Sequence, residues 1–99
     1  MGVIRSLQQS EADIYHIFVR GMGRQLLFED DVDRERFLAA LERALGKNAV
    51  ELYAWVLMGN HVHLLAHAPC KQVSSLLKSV EVSYARFCNQ RHERVGSLF

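Results

Sequence analysis

The spacing of apolar positions alternates between a strand-like and a helix-like period along the chain, and five elements follow from it. Ile14-Tyr15-His16-Ile17-Phe18-Val19-Arg20 is dense in β-branched and aromatic residues and stops at Gly21, which predicts a first strand. Gly21 to Gln25 reads as a loop. Asp30 and Asp31 then offer an N-cap and favourable negative charge to a helix, with Phe37, Leu38, Leu41, Ala44 and Leu45 as its apolar stripe and Gly46 as its stop. A second strand is expected over Glu51 to Leu57. Met58 to Asn60 is so short a connection that the next strand, His61 to Ala68, should return antiparallel, ending at Pro69. Gln72 to Arg91 predicts a second helix, with Val73, Leu76, Leu77, Val80, Tyr84, Phe87 and Cys88 along one face.

The order β-α-β-β-α is five-sixths of a ferredoxin-like or RRM-like unit. It predicts an α+β fold in which both helices cover one face of an antiparallel sheet. Val62, Leu64 and Ala66 would meet the helices, while His61, His63, Leu65 and His67 would occupy the uncovered face. No candidate for the last strand or a C-terminal helix exists in the 99 residues, so residues 1–99 read as one truncated domain. A sheet left incomplete in this way would favour a homodimer.

Composition narrows the class without deciding it. About half the residues are hydrophobic and a quarter charged, as in ordinary globular chains. The apolar runs are far shorter than the ~20 residues of a membrane span, and Met1 to Ser10 has no signal-peptide core, so a cytoplasmic protein is expected. Cys70 and Cys88 lack metal-motif spacing and read as free thiols. Net charge is only +1, which argues against strong non-specific DNA binding. Its distribution is uneven: acids gather between Glu29 and Glu42, and Lys71, Lys78, Arg86, Arg91 and Arg94 in the last third.

The candidate chemistry lies in Asn60-His61-Val62-His63. Side chains alternate along a strand, so His61 and His63 share a face with their Cα atoms roughly 7 Å apart, near enough to converge on one cation. Asn60 could orient a ring, and His16 on the neighbouring first strand could join the same face. Arg20 has the parity of His16 and suits an anionic substrate. Two imidazoles are too few for a closed structural zinc site but suit an open site for a divalent ion at a phosphate. Tyr84 is the tempting nucleophile, but its place in the apolar stripe reads as a packed tyrosine with its hydroxyl at the rim. His92 and Glu93 read as solvated.

These residues carry a family resemblance. Tyr15-His16-Ile17, Arg20-Gly21, Arg24, Phe28, Asp31, Asp33, Arg34 and Phe37 come first. The run Leu57-Met58-Gly59-Asn60-His61-Val62-His63-Leu64-Leu65 follows, then Tyr84 to Asn89, Arg91-His92 and Gly96-Ser97-Leu98-Phe99. Together, over about Ile14 to Phe99, they resemble the N-terminal part of single-tyrosine HUH transposases, with REP-associated tyrosine transposases the nearest subgroup. The resemblance implies a domain that cuts and rejoins single-stranded or hairpin DNA. It implies Mg²⁺ or Mn²⁺ on His61 and His63, and a tyrosine that forms a 5′-phosphotyrosine link. Arg20, Arg24, Lys71, Lys78, Arg86 and Arg91 are the expected DNA contacts.

Two departures stand out. Gly59 replaces the proline usual before the asparagine. The family's nucleophilic tyrosine and third ligand lie beyond Phe99, and Tyr84 matches a packing position. Three functions therefore compete: a transposase-like domain, a DNA-binding or regulatory remnant without a nucleophile, and an oligomer with no nucleic-acid role.

Overall fold

The computed structural model describes residues 4–9, 13–48, 50–68 and 70–99, with side chains described from 13 onward except at 70 and 71. Two expectations, the strand stop at Pro69 and the side chain of Lys71, lie outside the described residues. The elements are β1 (Ile4–Gln9), β2 (Ile14–Arg20), α1 (Asp31–Lys47), β3 (Glu51–Leu57), β4 (His61–His67) and α2 (Cys70–Arg91). They form one antiparallel sheet in the order β1-β2-β4-β3. This is the expected α+β architecture with one added strand.

β1 is the correction. It pairs along the whole of β2, from Ile4 opposite Arg20 to Gln9 opposite Tyr15, and so takes the flank that the missing last strand was expected to leave open. Its sequence, Ile-Arg-Ser-Leu-Gln-Gln, puts its two aliphatic residues three apart, which is not strand alternation.

Alternation decides the rest of the sheet. Tyr15, Ile17 and Val19 of β2 face the helices and are buried, as are Val62, Leu64 and Ala66 of β4 directly opposite them. Phe37, Leu41 and Ala44 of α1 and Leu76, Leu77 and Val80 of α2 close over these rows. Each fully covered aliphatic side chain contributes roughly 1.5–3 kcal/mol. β3 carries a bulge between Leu52 and Ala54, which turns Tyr53 onto the helix-free face against His67, with ring centroids 6.4 Å apart.

The helix ends differ slightly from expectation. Asp30 caps α1 by accepting the Asp33 N–H at 3.2 Å. The helix runs through Gly46, the predicted stop, because the Asn48 side chain donates to the Ala44 carbonyl at 2.8 Å and satisfies that end. α2 starts at Cys70, two residues before the predicted Gln72.

Two devices fix the helices and the β4 hairpin. Arg91, near the end of α2, pairs with Asp30 and Asp33 at the start of α1 at 2.6 and 2.7 Å, so the helices run antiparallel. His92 joins Asp33 at 2.9 Å and Glu29 at 3.0 Å, and Arg94 pairs with Glu29. His92 is thus held in a charge cluster, in place of the solvated residue expected. Asp33 is fully buried, and its partners outweigh the desolvation cost. The β2–α1 loop grips the β3–β4 hairpin tip: Leu27 N donates to the Gly59 carbonyl at 2.8 Å and Gly21 N to the Asn60 carbonyl at 3.0 Å. Gly21 is required there, since a Cβ would sit 2.4 Å from the Gln25 carbonyl oxygen. The same loop binds the end of the chain, with Met22 N donating to the Leu98 carbonyl at 2.8 Å.

Candidate metal and nucleic-acid site

The uncovered sheet face collects the predicted chemistry at one end. Strand parity puts His16, Phe18 and Arg20 of β2 beside His61, His63 and Leu65 of β4, with Arg20 opposite His61 and Phe18 opposite His63. The His61 and His63 rings lie 5.2 Å apart and nearly perpendicular, at 86°. His61 Nδ1 donates to Asn60 Oδ1 at 2.9 Å, which leaves its Nε2 lone pair free. His63 Nδ1 shares a proton with His16 Nε2 at 3.0 Å, their rings stacked 5.2 Å apart. With the proton on His63, its Nε2 is also free to coordinate.

Electrostatics favours a neutral ring at His63. Partial burial, followed by the charges of His61 and His16, holds His63 below the usual histidine pKa. A neutral imidazole is the form that binds a cation. Phe18, which no sequence motif singled out, packs against both rings, with centroids 5.4 Å from His61 and 5.2 Å from His63. It had a readable signal, since it shares the parity of His16 and Arg20. The Arg20 Nε is buried without a hydrogen-bond partner among the described residues.

The donor set fits half of a divalent-ion site. Two imidazole nitrogens, each oriented by a neighbour, leave the other positions to water and a phosphate oxygen. Among the described residues, no group of three or more His, Cys, Asp or Glu side chains converges on a metal position.

The remaining expected residues are elsewhere. Tyr84 is fully buried between the helices and the sheet, on the side away from the histidines. Its hydroxyl donates to the Leu27 carbonyl, and its ring packs on Phe28, Phe37 and Phe87. Burial, with Cys88 and Asp33 nearby, drives its pKa far above that of free tyrosine. The geometry therefore gives Tyr84 the packing role. Arg91 spends its charge on Asp30 and Asp33. Arg24 is exposed at the end of a short 3₁₀ turn, and Lys78 and Arg86 are exposed on the helix side of the molecule.

Residues 9–98 match the family model described as Transposase IS200 like. The chain belongs to that family. Comparison with curated proteins finds no match. Membership makes this a transposase-type domain whose partner is DNA and whose process is DNA transposition and recombination. IS200-like transposases are in general metal-dependent, which agrees in kind with two oriented imidazoles on an open face. Among the described residues, no helix of this IS200-like domain is long and apolar enough to cross a membrane.

Proposed function

We propose that this IS200-like domain binds single-stranded DNA across its uncovered sheet face, with Mg²⁺ or Mn²⁺ held by His61 and His63 at a backbone phosphate. The observation that carries the reading is the pair of imidazoles, each anchored through Nδ1 and each able to present Nε2. His61 and His63 bind the cation, Asn60 and His16 hold their orientation, and Arg20 donates to the phosphate. When bound, the cation supplies electrostatic polarisation of the phosphodiester for strand cleavage and rejoining. Phe18 forms the floor beneath both rings. A homodimer joined through β3 belongs to the same proposal, because that edge strand exposes Tyr53, Trp55 and Val56.

The test is Mn²⁺ binding followed by electron paramagnetic resonance, with single-stranded oligonucleotide binding measured in parallel. His61→Ala and His63→Ala should each abolish Mn²⁺ binding, and chelator should weaken DNA binding in the unmodified chain only. Unchanged Mn²⁺ binding in both variants would overturn the reading.

A second reading, a DNA-binding or regulatory domain with no nucleophile of its own, is favoured by the burial of Tyr84. It expects no covalent product when the chain is incubated with single-stranded DNA and Mn²⁺ and run on a denaturing gel. An adduct lost in Tyr84→Phe would refute it.

A further inference from the structure

The segment Gly96 to Phe99 lies against the β2–α1 loop, with Leu98 and Phe99 buried. Its carbonyls are held from two directions. Asn89 Nδ2, on α2, donates to the Gly96 carbonyl at 3.0 Å. From the loop, Met22 N donates to the Leu98 carbonyl at 2.8 Å. Gln25 Nε2 donates to the Ser97 and Leu98 carbonyls at 2.9 and 3.2 Å. Two carbonyl acceptors fix which way the Gln25 amide points, since only its NH₂ end can donate to both.

We propose that Gln25 is a positioning residue for the His61 ligand. Its grip on this segment fixes the loop that holds Asn60, and Asn60 keeps the His61 proton on Nδ1. The inference rests on the reading of His61 as a cation ligand and names what holds that ligand in its binding form. The route from Gln25 to the ring is short and continuous. Gln25 closes a tight turn, in which Arg24 N donates to the Gly21 carbonyl at 3.1 Å and Gln25 N to the Met22 carbonyl at 3.2 Å. The Gln25 carbonyl oxygen packs onto Gly21 so closely that a Cβ there would be 2.4 Å away. A shift of Gln25 is therefore a shift of Gly21. Gly21 N donates to the Asn60 carbonyl at 3.0 Å, and the Asn60 side chain accepts from His61 Nδ1 at 2.9 Å.

The place of the His61 proton decides whether the ring can bind a cation through Nε2. A proton on Nδ1 leaves that lone pair free, and the acceptor at Nδ1 is what keeps it there. An imidazole released from its acceptor also populates the Nε2–H form, which has no lone pair on Nε2. Partners that set ring angle and tautomer are worth about 10–100-fold in metal affinity. Leu98 and Phe99 supply the apolar burial of the segment, whereas half-buried Gln25 supplies direction through its two hydrogen bonds. The hairpin tip keeps a second hold, Leu27 N and Phe28 N on the Gly59 carbonyl at 2.8 and 3.2 Å. Loss of the Gln25 bonds thus loosens Asn60 without freeing the hairpin.

The experiment records long-range ¹H–¹⁵N correlations of the histidine rings in the metal-free full chain at about pH 8, where imidazoles are neutral. The unmodified chain should show His61 protonated at Nδ1. Gln25→Met keeps the side-chain length and removes both donors. It should move His61 toward the Nε2–H tautomer and leave the His63 signals in place, since His63 is set by His16 within the strands. Ser97→Ala, which leaves the accepting carbonyl intact, should change neither ring. Mn²⁺ titration followed by electron paramagnetic resonance should then show binding about tenfold weaker in Gln25→Met. An unchanged His61 tautomer in Gln25→Met, equal shifts at His61 and His63, or loss of the fold by circular dichroism would each overturn the proposal. A His61 shift in a chain that binds no Mn²⁺ even unmodified would uphold the positioning role and refute the cation reading, so the two failures are read separately.

Discussion

His63 shows how a single residue is tuned by its surroundings. Its folded-state pKa lies below the ordinary histidine value because burial, His61 and His16 all oppose a second positive charge there. A depressed value means that the unfolded chain takes up the proton first. The stability this contributes is present above about pH 6.5 and falls away as the pH drops through the folded value. Replacing His63 with Gln should therefore flatten the pH dependence of Tm between pH 7 and 5, which calorimetry will read. Tyr84 makes the opposite case. Phe in its place removes the hydroxyl bond to the buried Leu27 carbonyl and should cost about 1–2 kcal/mol in denaturant unfolding. Mn²⁺ binding should be unaffected, because the residue lies on the other side of the sheet.

Among elements, the contact between the start of α1 and the end of α2 is the most exposed to test. Asp33 is buried, and desolvation alone would raise its pKa. The Glu29 N–H, Arg91 and His92 outweigh that and lower it, while Asp30 is lowered by Arg91 and then by the Asp33 N–H. Stability from both carboxylates is present above about pH 4 and is lost as pH falls through their lower folded values. Arg91→Ala should destabilise the chain at pH 7, and by much less at pH 3, in the same urea titration. None of this cluster was legible in the sequence, since Asp33 and Arg91 are almost sixty residues apart and only folding makes them neighbours. The elements were more readable. Three strands and both helices follow from periodicity, and parity alone put His16, Arg20, His61 and His63 on one face. β1 escaped because Ile4 and Leu7 have no strand spacing, and its place is set by β2, not by its own pattern. Gly46 misled because a glycine stops a helix only where no better cap follows, and Asn48 is that cap.

For the whole molecule, β1 changes what an association between copies can use. With β2 covered, β3 and the residue after it expose Tyr53, Trp55, Val56 and Met58. In the proposed homodimer, that edge is where the two copies would meet. Val56→Lys, which places a charge on the edge strand, should shift a dimer to monomer in light scattering while leaving the melting profile of the monomer within about 0.5 kcal/mol. A species that stays dimeric would move the contact elsewhere.

The loop joining β2 to α1 carries a consequence of its own. Connecting segments ordinarily trade their amide protons with solvent quickly, yet here Gly21, Met22 and Leu27 each donate to a carbonyl far away in sequence. An isotope-exchange map should therefore contain a slow island in a stretch without regular strands. Whatever loosens that island, including a change at Leu98, should set the base of the histidine ribbon adrift.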